Sequence, residues 1–326
     1  MTEQSLLDPD RQPSLAGVER AAKKISEILP PTPLLSLDVD GQRIWCKAEC
    51  LQPIGAFKIR GGWHRLTDLD QDQRRKGVVA FSSGNHAQGV AWAAKQLGIP
   101  ATIVMPEDAP ATKMDNTKSL GANVVTYDRM TGSREQLAQE LAAKTGATVV
   151  PSFDDPWIVE GQGSCGIEMR EQVVDRTGHA PDQIVACCGG GGLASGIILS
   201  NPDCKIIVAE PEGWDDMRRS LELGRIVPVK DHPPSTNCDA LQTLEVAPIT
   251  FDILAQHDAT GVAISASEVE HAMRIAFDRL HLCIEPGGAV ALAAILSGKV
   301  EAGSQTVVTL SGGNVDRQLF AKILAG

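Results

Sequence analysis

The feature that most constrains the fold is an alternation. Short apolar runs recur along the chain, and each gives way to a turn rich in Gly, Ser or Asn and then to a helix-like segment. VVAFSS precedes GNHAQGVAWAAKQLG, ATIVMP precedes ATKMDNTKSLG, NVVTYD precedes SREQLAQELAAKTG, IVACC precedes GGGGLASGIILS, and TVVTLSGG lies near the end. Strands alternating with helices in this way read as parallel βα units, hence an α/β fold. Gly98, Gly121 and Gly146 close three helical segments, where a left-handed cap residue is expected. At 326 residues the chain exceeds what one hydrophobic core usually serves, so two domains are expected. Segment 77–152, bounded by Gly77 and the PSFDDP turn, reads as a smaller domain inserted into a larger, discontinuous one of 1–76 and 153–326. Ligands of open α/β sheets sit outside the carboxyl ends of the strands, so a cleft lined by GAFKIRG, SSGNHA, GGGG and SGGN is expected. The Pro-rich stretch 228–250 reads as a long loop of the kind that carries specificity.

Composition removes several classes of function. A net charge of −11 argues against a nucleic-acid partner, which needs a basic surface. No apolar run approaches a membrane span, and the first thirty residues lack the apolar centre of a secretory signal, so a cytoplasmic location is expected. The eight cysteines form no CxxC pair and the seven histidines no HxxxH or HExxH pair, so the cysteines read as reduced and mostly buried.

Two stretches carry chemistry. Gly189-Gly190-Gly191-Gly192 joins an apolar strand to a helix, which exposes backbone N–H groups at a helix N-terminus and makes a phosphate cradle. No Lys-Ser/Thr follows, which excludes a P-loop. The pattern Gly189-x-Gly191-x-x-Ala194, with Glu210 about 20 residues on, leaves a dinucleotide site as a competitor. Lys58, in GAFKIRG, is set in a partly apolar context that lowers an amine's pKa and makes it a usable nucleophile toward an aldehyde. A phosphate cradle and an activated lysine together suggest pyridoxal phosphate.

In order along the chain, PTPLLSL (32–38), KAECLQPIGAFKIRG (47–61), SSGNHAQG (82–89), GQG (161–163), GGGGL (189–193), AEP (209–211), EPGGA (285–289) and SGGNVD (311–316) resemble the fold-type II pyridoxal-phosphate enzymes. Within that family the likeness is to the threonine/serine dehydratases and serine racemases. The resemblance implies a tryptophan-synthase-β-like fold whose larger domain binds the cofactor and whose smaller domain binds substrate. It implies that Lys58 binds the cofactor covalently and later moves protons at Cα, with Phe57 beside the ring. Asn85 would bond the cofactor's 3-hydroxyl, Gly189–Gly192 and Leu193 would hold its phosphate end, and Glu285 would help close the pocket. Ser82, Ser83, Asn85 and His86 would receive the substrate carboxylate at a helix start. Ser311 would face the pyridine nitrogen, and a hydroxyl there makes the ring a weaker electron sink, which favours α,β-elimination. Glu210, Trp214 and Asp216 match a site for Mg²⁺, Mn²⁺ or Ca²⁺, and a homodimer is expected.

The chain departs from the family pattern at Asp239-Ala240, where Asp-Gly is usual. Gln242 and Thr243 follow, a pair similar to that of members acting on 3-hydroxyaspartate, and Arg129 and Arg134 are candidates for a second substrate carboxylate. Elimination from threonine or serine is expected first, with 3-hydroxyaspartate close behind. Ser83, a second base opposite Lys58, leaves an amino-acid racemase as the alternative. A nicotinamide-dependent oxidoreductase and a non-catalytic ligand-binding module are the competitors from other classes. The chain stops at Gly326, so no isoleucine-sensing regulatory domain is expected.

Overall fold

The computed structural model describes residues 7–109, 111–128 and 132–326, so Arg129 lies outside the described residues. Ten strands are present among them: β1 Leu34–Val39, β2 Gln42–Lys47, β3 Val78–Phe81, β4 Ala101–Pro106, β5 Asn123–Tyr127, β6 Thr148–Val149, β7 Gln183–Cys187, β8 Lys205–Pro211, β9 Thr260–Ile264 and β10 Thr306–Thr309. They form a six-stranded sheet in the order β1-β2-β10-β7-β8-β9 and a four-stranded sheet in the order β5-β4-β3-β6. Every pairing is parallel except the β1–β2 hairpin, which turns through Asp40-Gly41 with both residues at positive φ. An Asp-Gly pair in that conformation matches the twist of a two-residue hairpin turn.

Chemistry of the side chains explains the layering. All residues of β7 and β10 are buried, as parallel strands covered on both faces require. The four-stranded sheet is drawn wholly from 78–149, whereas the larger sheet takes strands from both sides of that segment. The smaller sheet's core nevertheless recruits Leu66, Leu69 and Ile158 from outside it, packed with Val78, Ala80 and Ile103. Gly98 and Gly146 end their helices in the left-handed conformation and Gly121 also has positive φ, as the sequence suggests.

Helix Lys58–Thr67 joins the two sheets. It lies so close to helix Asn85–Leu97 that a Cβ on Gly62 would sit 2.8 Å from the Gly89 carbonyl oxygen, and one on Gly89 2.7 Å from that of Lys58. Backbone-to-backbone packing of this kind admits glycine alone, and it fixes Lys58 against helix Asn85–Leu97. All eight cysteines are free, and Cys283 alone among them is exposed. Among the described residues no helix is long and apolar enough to cross a membrane.

Candidate active site

Strand ends from both sheets meet at one cavity. Its walls include Lys58 and Phe57, the turn Ser82–His86 after β3, the glycines after β7, Glu285, and Ser311 after β10. Two further segments contribute, Ser152-Phe153 after β6 and Asp239–Thr243 from the long loop.

Lys58 is held by a clamp between two loops. Ala56 forms a bridge with Gly312, Phe57 N–H donates to the Ser311 carbonyl at 3.1 Å, and Gly313 N–H donates to the Gly55 carbonyl at 2.8 Å. GAFK and SGGN are therefore one structural unit, although they lie some 250 residues apart in sequence. The Lys58 amine donates to the Ser152 carbonyl at 2.7 Å and stands 5.1 Å from the Phe57 ring centroid. Burial lowers its pKa from 10.5 to about 8, opposed only by the nearby Cys187 thiol. Burial without a carboxylate partner makes the amine a usable nucleophile closer to neutral pH.

The glycine loop is shaped by what lies over it. A Cβ on Gly190 would fall 2.2 Å from the Phe153 ring, and Gly191, at φ 85°, opens helix Gly192–Ser200. Gly189–Gly192 line the cavity beside Leu193 at that helix start, a setting that favours a phosphate. Glu210 lies elsewhere. It is fully buried, accepts from Met217 N–H at 3.1 Å and Arg218 N–H at 2.7 Å, and so caps helix Asp216–Leu223. A carboxylate committed to a cap away from the cavity cannot take a ribose, which removes the dinucleotide reading.

At the start of helix Asn85–Leu97, Ser82 and Ser83 are half-buried and line the cavity. His86 is buried, shares a hydrogen bond with the Val150 carbonyl at 2.9 Å, and has its pKa pushed down to about 3 by burial and by Lys58. It is neutral throughout the working pH range. The Asn85 amide donates to Glu285 at 2.6 Å and accepts from Asn314 at 2.8 Å. Glu285, pushed up to about 7 by burial and by Asp239, is partly protonated at neutral pH. Ser311 is buried beside Cys187.

Further polar groups line the cavity. Gln242 is exposed there, Thr243 is half-buried over Gly189, and Arg134 stands 6.0 Å from the Phe81 ring centroid. Sequence reasoning missed Ser152, Phe153, Cys187 and Lys113. The PSFDDP turn could have disclosed the first two, because it follows a strand of the same sheet as SSGN. Nothing local marks Lys113, which reaches the cavity from helix Ala111–Ser119.

Glu210 and Asp216 form a separate buried cluster. Both Asp216 carboxylate oxygens lack a hydrogen-bond partner, and burial pushes that carboxyl up to about 7. Burial and the Asp216 charge likewise raise Glu210. Trp214 donates its indole N–H to the Pro234 carbonyl at 2.8 Å. Among the described residues no group of three His, Cys, Asp or Glu side chains is placed to hold a metal, so any cation here would need backbone oxygen as well.

Comparison with known proteins agrees with this geometry. Residues 25–312 match the family model for pyridoxal-phosphate dependent enzymes. The chain is 40% identical over 322 residues to an L-threo-3-hydroxyaspartate ammonia-lyase of Pseudomonas sp, covering 96% of this chain and 99% of the relative. It is 38% identical to a protein of the same name from Saccharomyces cerevisiae, over 96% of this chain and 97% of that one. The structure of maize serine racemase superposes with a TM-score of 0.89 at 33% identity, covering 97% of this chain and 98% of that one. The protein belongs to the pyridoxal-phosphate-dependent enzymes of fold type II.

Proposed function

We propose that the chain catalyses β-elimination from a small β-hydroxy-amino acid, releasing a 2-keto acid and ammonia, with 3-hydroxyaspartate ahead of threonine and serine. The observation that carries this reading is the meeting of a buried Lys58 of lowered pKa, the four-glycine loop and Ser311 in one cavity. Bound at Lys58, pyridoxal phosphate supplies the electron sink that acidifies the substrate's Cα hydrogen.

The chain's own groups do the rest. Gly189–Gly192 bind the phosphate through backbone N–H groups, Phe57 supports the ring, and Leu193 packs at the phosphate end. Ser82, Ser83 and neutral His86 receive the substrate's α-carboxylate where the helix dipole favours it. The Lys58 amine takes the Cα proton. Asn85 and Glu285, already bonded to each other, would hold the cofactor's oxygen edge, and the Ser311 hydroxyl would serve its ring nitrogen without the charge of a carboxylate. A weak sink favours departure of the β-hydroxyl over a long-lived carbanion. Lys113 and Arg134 in the cavity, with the names of the two relatives, move 3-hydroxyaspartate ahead of the substrates the sequence favours.

The same reading divides the chain into a substrate-binding part, 77–152, and a cofactor-binding remainder, and makes it a cytoplasmic homodimer. It assigns Mg²⁺, Mn²⁺ or Ca²⁺ to Glu210 and Asp216 with the Trp214 carbonyl, because two adjacent buried carboxylates, that of Asp216 with both oxygens unpartnered, suit a hard cation. Racemisation is the second reading, favoured by Ser83 lining the same cavity as Lys58.

Keto-acid release from threonine, serine and the four 3-hydroxyaspartate stereoisomers, with Mg²⁺ or with EDTA, tests the proposal. A 3-hydroxyaspartate stereoisomer should be turned over fastest, and EDTA should slow the parent but not Asp216→Asn. D-serine formed from L-serine without pyruvate would instead establish the racemase.

A further inference from the structure

Lys113 and Asp239 form an ion pair across the mouth of the cavity. They come from different parts of the chain: Lys113 from helix Ala111–Ser119 beside the four-stranded sheet, Asp239 from the short turn Asp239–Leu241 in the long loop. The pair is asymmetric in its environment. The lysine side chain is 18% exposed and the aspartate 50%. An ion pair with one partner largely in water contributes little to stability, so an incoming anion can replace the aspartate at small cost.

The surroundings tell which anion. Lys58 holds the cofactor in the proposed function, and its charge is committed there. Lys113 and Arg134 are the remaining cations that line the cavity among the described residues, and of the two Arg134, 43% exposed, is the more solvated. A substrate with a single carboxylate is satisfied at the start of helix Asn85–Leu97 and leaves Lys113–Asp239 untouched. A substrate with a second carboxylate brings a fully charged competitor to Asp239 inside the cavity. Asp239 also raises the Glu285 carboxyl, which Lys113 opposes, so the three groups sense one another.

We propose that Lys113 is a specificity-determining residue that exchanges Asp239 for the distal carboxylate of a dicarboxylic substrate, so that the loop Asp239–Thr243 opens for dicarboxylates and stays latched for serine. The inference rests on the proposed lyase reading for its substrate, but the binding arm of its test does not depend on turnover.

Succinate, a non-reactive four-carbon dicarboxylate, serves as the probe. Its binding to the holoenzyme is measured by calorimetry beside the KM and kcat for 3-hydroxyaspartate and L-serine. Lys113→Met should weaken succinate binding and raise the 3-hydroxyaspartate KM by about tenfold or more, the loss of a charge-assisted hydrogen bond, and leave the L-serine KM within about twofold. Asp239→Asn should act in the opposite direction, tightening succinate about threefold by freeing the lysine. Lys113→Arg, which keeps the charge, should restore most of the affinity and so separates lost charge from lost folding. Parallel changes for serine and the dicarboxylates, or weaker succinate binding in Asp239→Asn, would overturn the exchange. If the succinate shifts appear but no hydroxy-amino acid yields a keto acid, the lyase reading fails and the exchange stands.

Discussion

Lys58 and Arg60 lie two residues apart on one helix, and the chain treats their charges in opposite ways. Arg60 is fully buried and fully paired: it donates to Glu49 at 2.7 and 2.8 Å, to Glu168 at 2.7 and 2.8 Å, and to Ser164 at 3.1 Å. Lys47 joins the network through Glu168 at 2.6 Å. Burial alone would raise the Glu49 carboxyl, yet the charge and hydrogen bonds of Arg60 hold it below the usual carboxylate range. Lys58 receives one backbone carbonyl and no carboxylate, and its pKa falls to about 8. A buried cation with acidic partners keeps its proton and anchors the helix; one without them loses its proton and becomes reactive.

Removal of each cation should therefore fail differently. Lys58→Ala should lose activity by at least ~10³-fold and lose the visible absorbance of covalently held cofactor, with an unchanged circular dichroism spectrum. Unfolding of that variant would show that Lys58, too, is structural, and the contrast would break. Arg60→Met leaves Glu49 and Glu168 buried without their partner. It should cost about 3–5 kcal/mol in denaturant unfolding, the effect expected when one member of a buried ion pair is removed. Glu49→Gln with Arg60 intact should cost less, because Glu168 and Ser164 still accept from the guanidinium.

This contrast also marks what the sequence can and cannot disclose. Apolar runs announce β3, β4, β7 and β10 because parallel strands buried on both faces must be apolar throughout, whereas β5, half-buried or exposed along its length, is announced by its place in the alternation. Gly189–Gly192 and Lys58 are legible because a phosphate cradle and an unpaired lysine leave local signatures. The reasons behind the glycines are not local: Gly190 answers to the Phe153 ring and Gly62 to the backbone of Gly89. Glu49 and Glu168, which distinguish Arg60 from Lys58, lie 11 and 108 residues from it, and no motif links such distant partners. Lys113 stays hidden for the same reason, since its role depends on a loop 126 residues away. The sequence places Glu210 within reach of a ribose, whereas the fold turns it into a helix cap, because β8 ends beside Met217 and Arg218 rather than beside the cavity.

The smallest effect sharpens the comparison by titration. Because the Lys58 pKa is lowered to about 8, the reactive neutral amine is the minor form below that pH, and its fraction rises about tenfold per pH unit as the proton is lost. Capture of pyridoxal phosphate by the apoenzyme, followed by visible absorbance, should thus speed up from pH 6 to about 8 and then level off. His86, at about 3, stays neutral over the whole range and adds no inflection. Glu285, at about 7, loses its proton inside the window and should add a shallow second step that Glu285→Gln removes. A capture rate that keeps climbing toward pH 10 would mean that Lys58 titrates as an ordinary lysine. Burial without an acidic partner would then not be what separates it from Arg60.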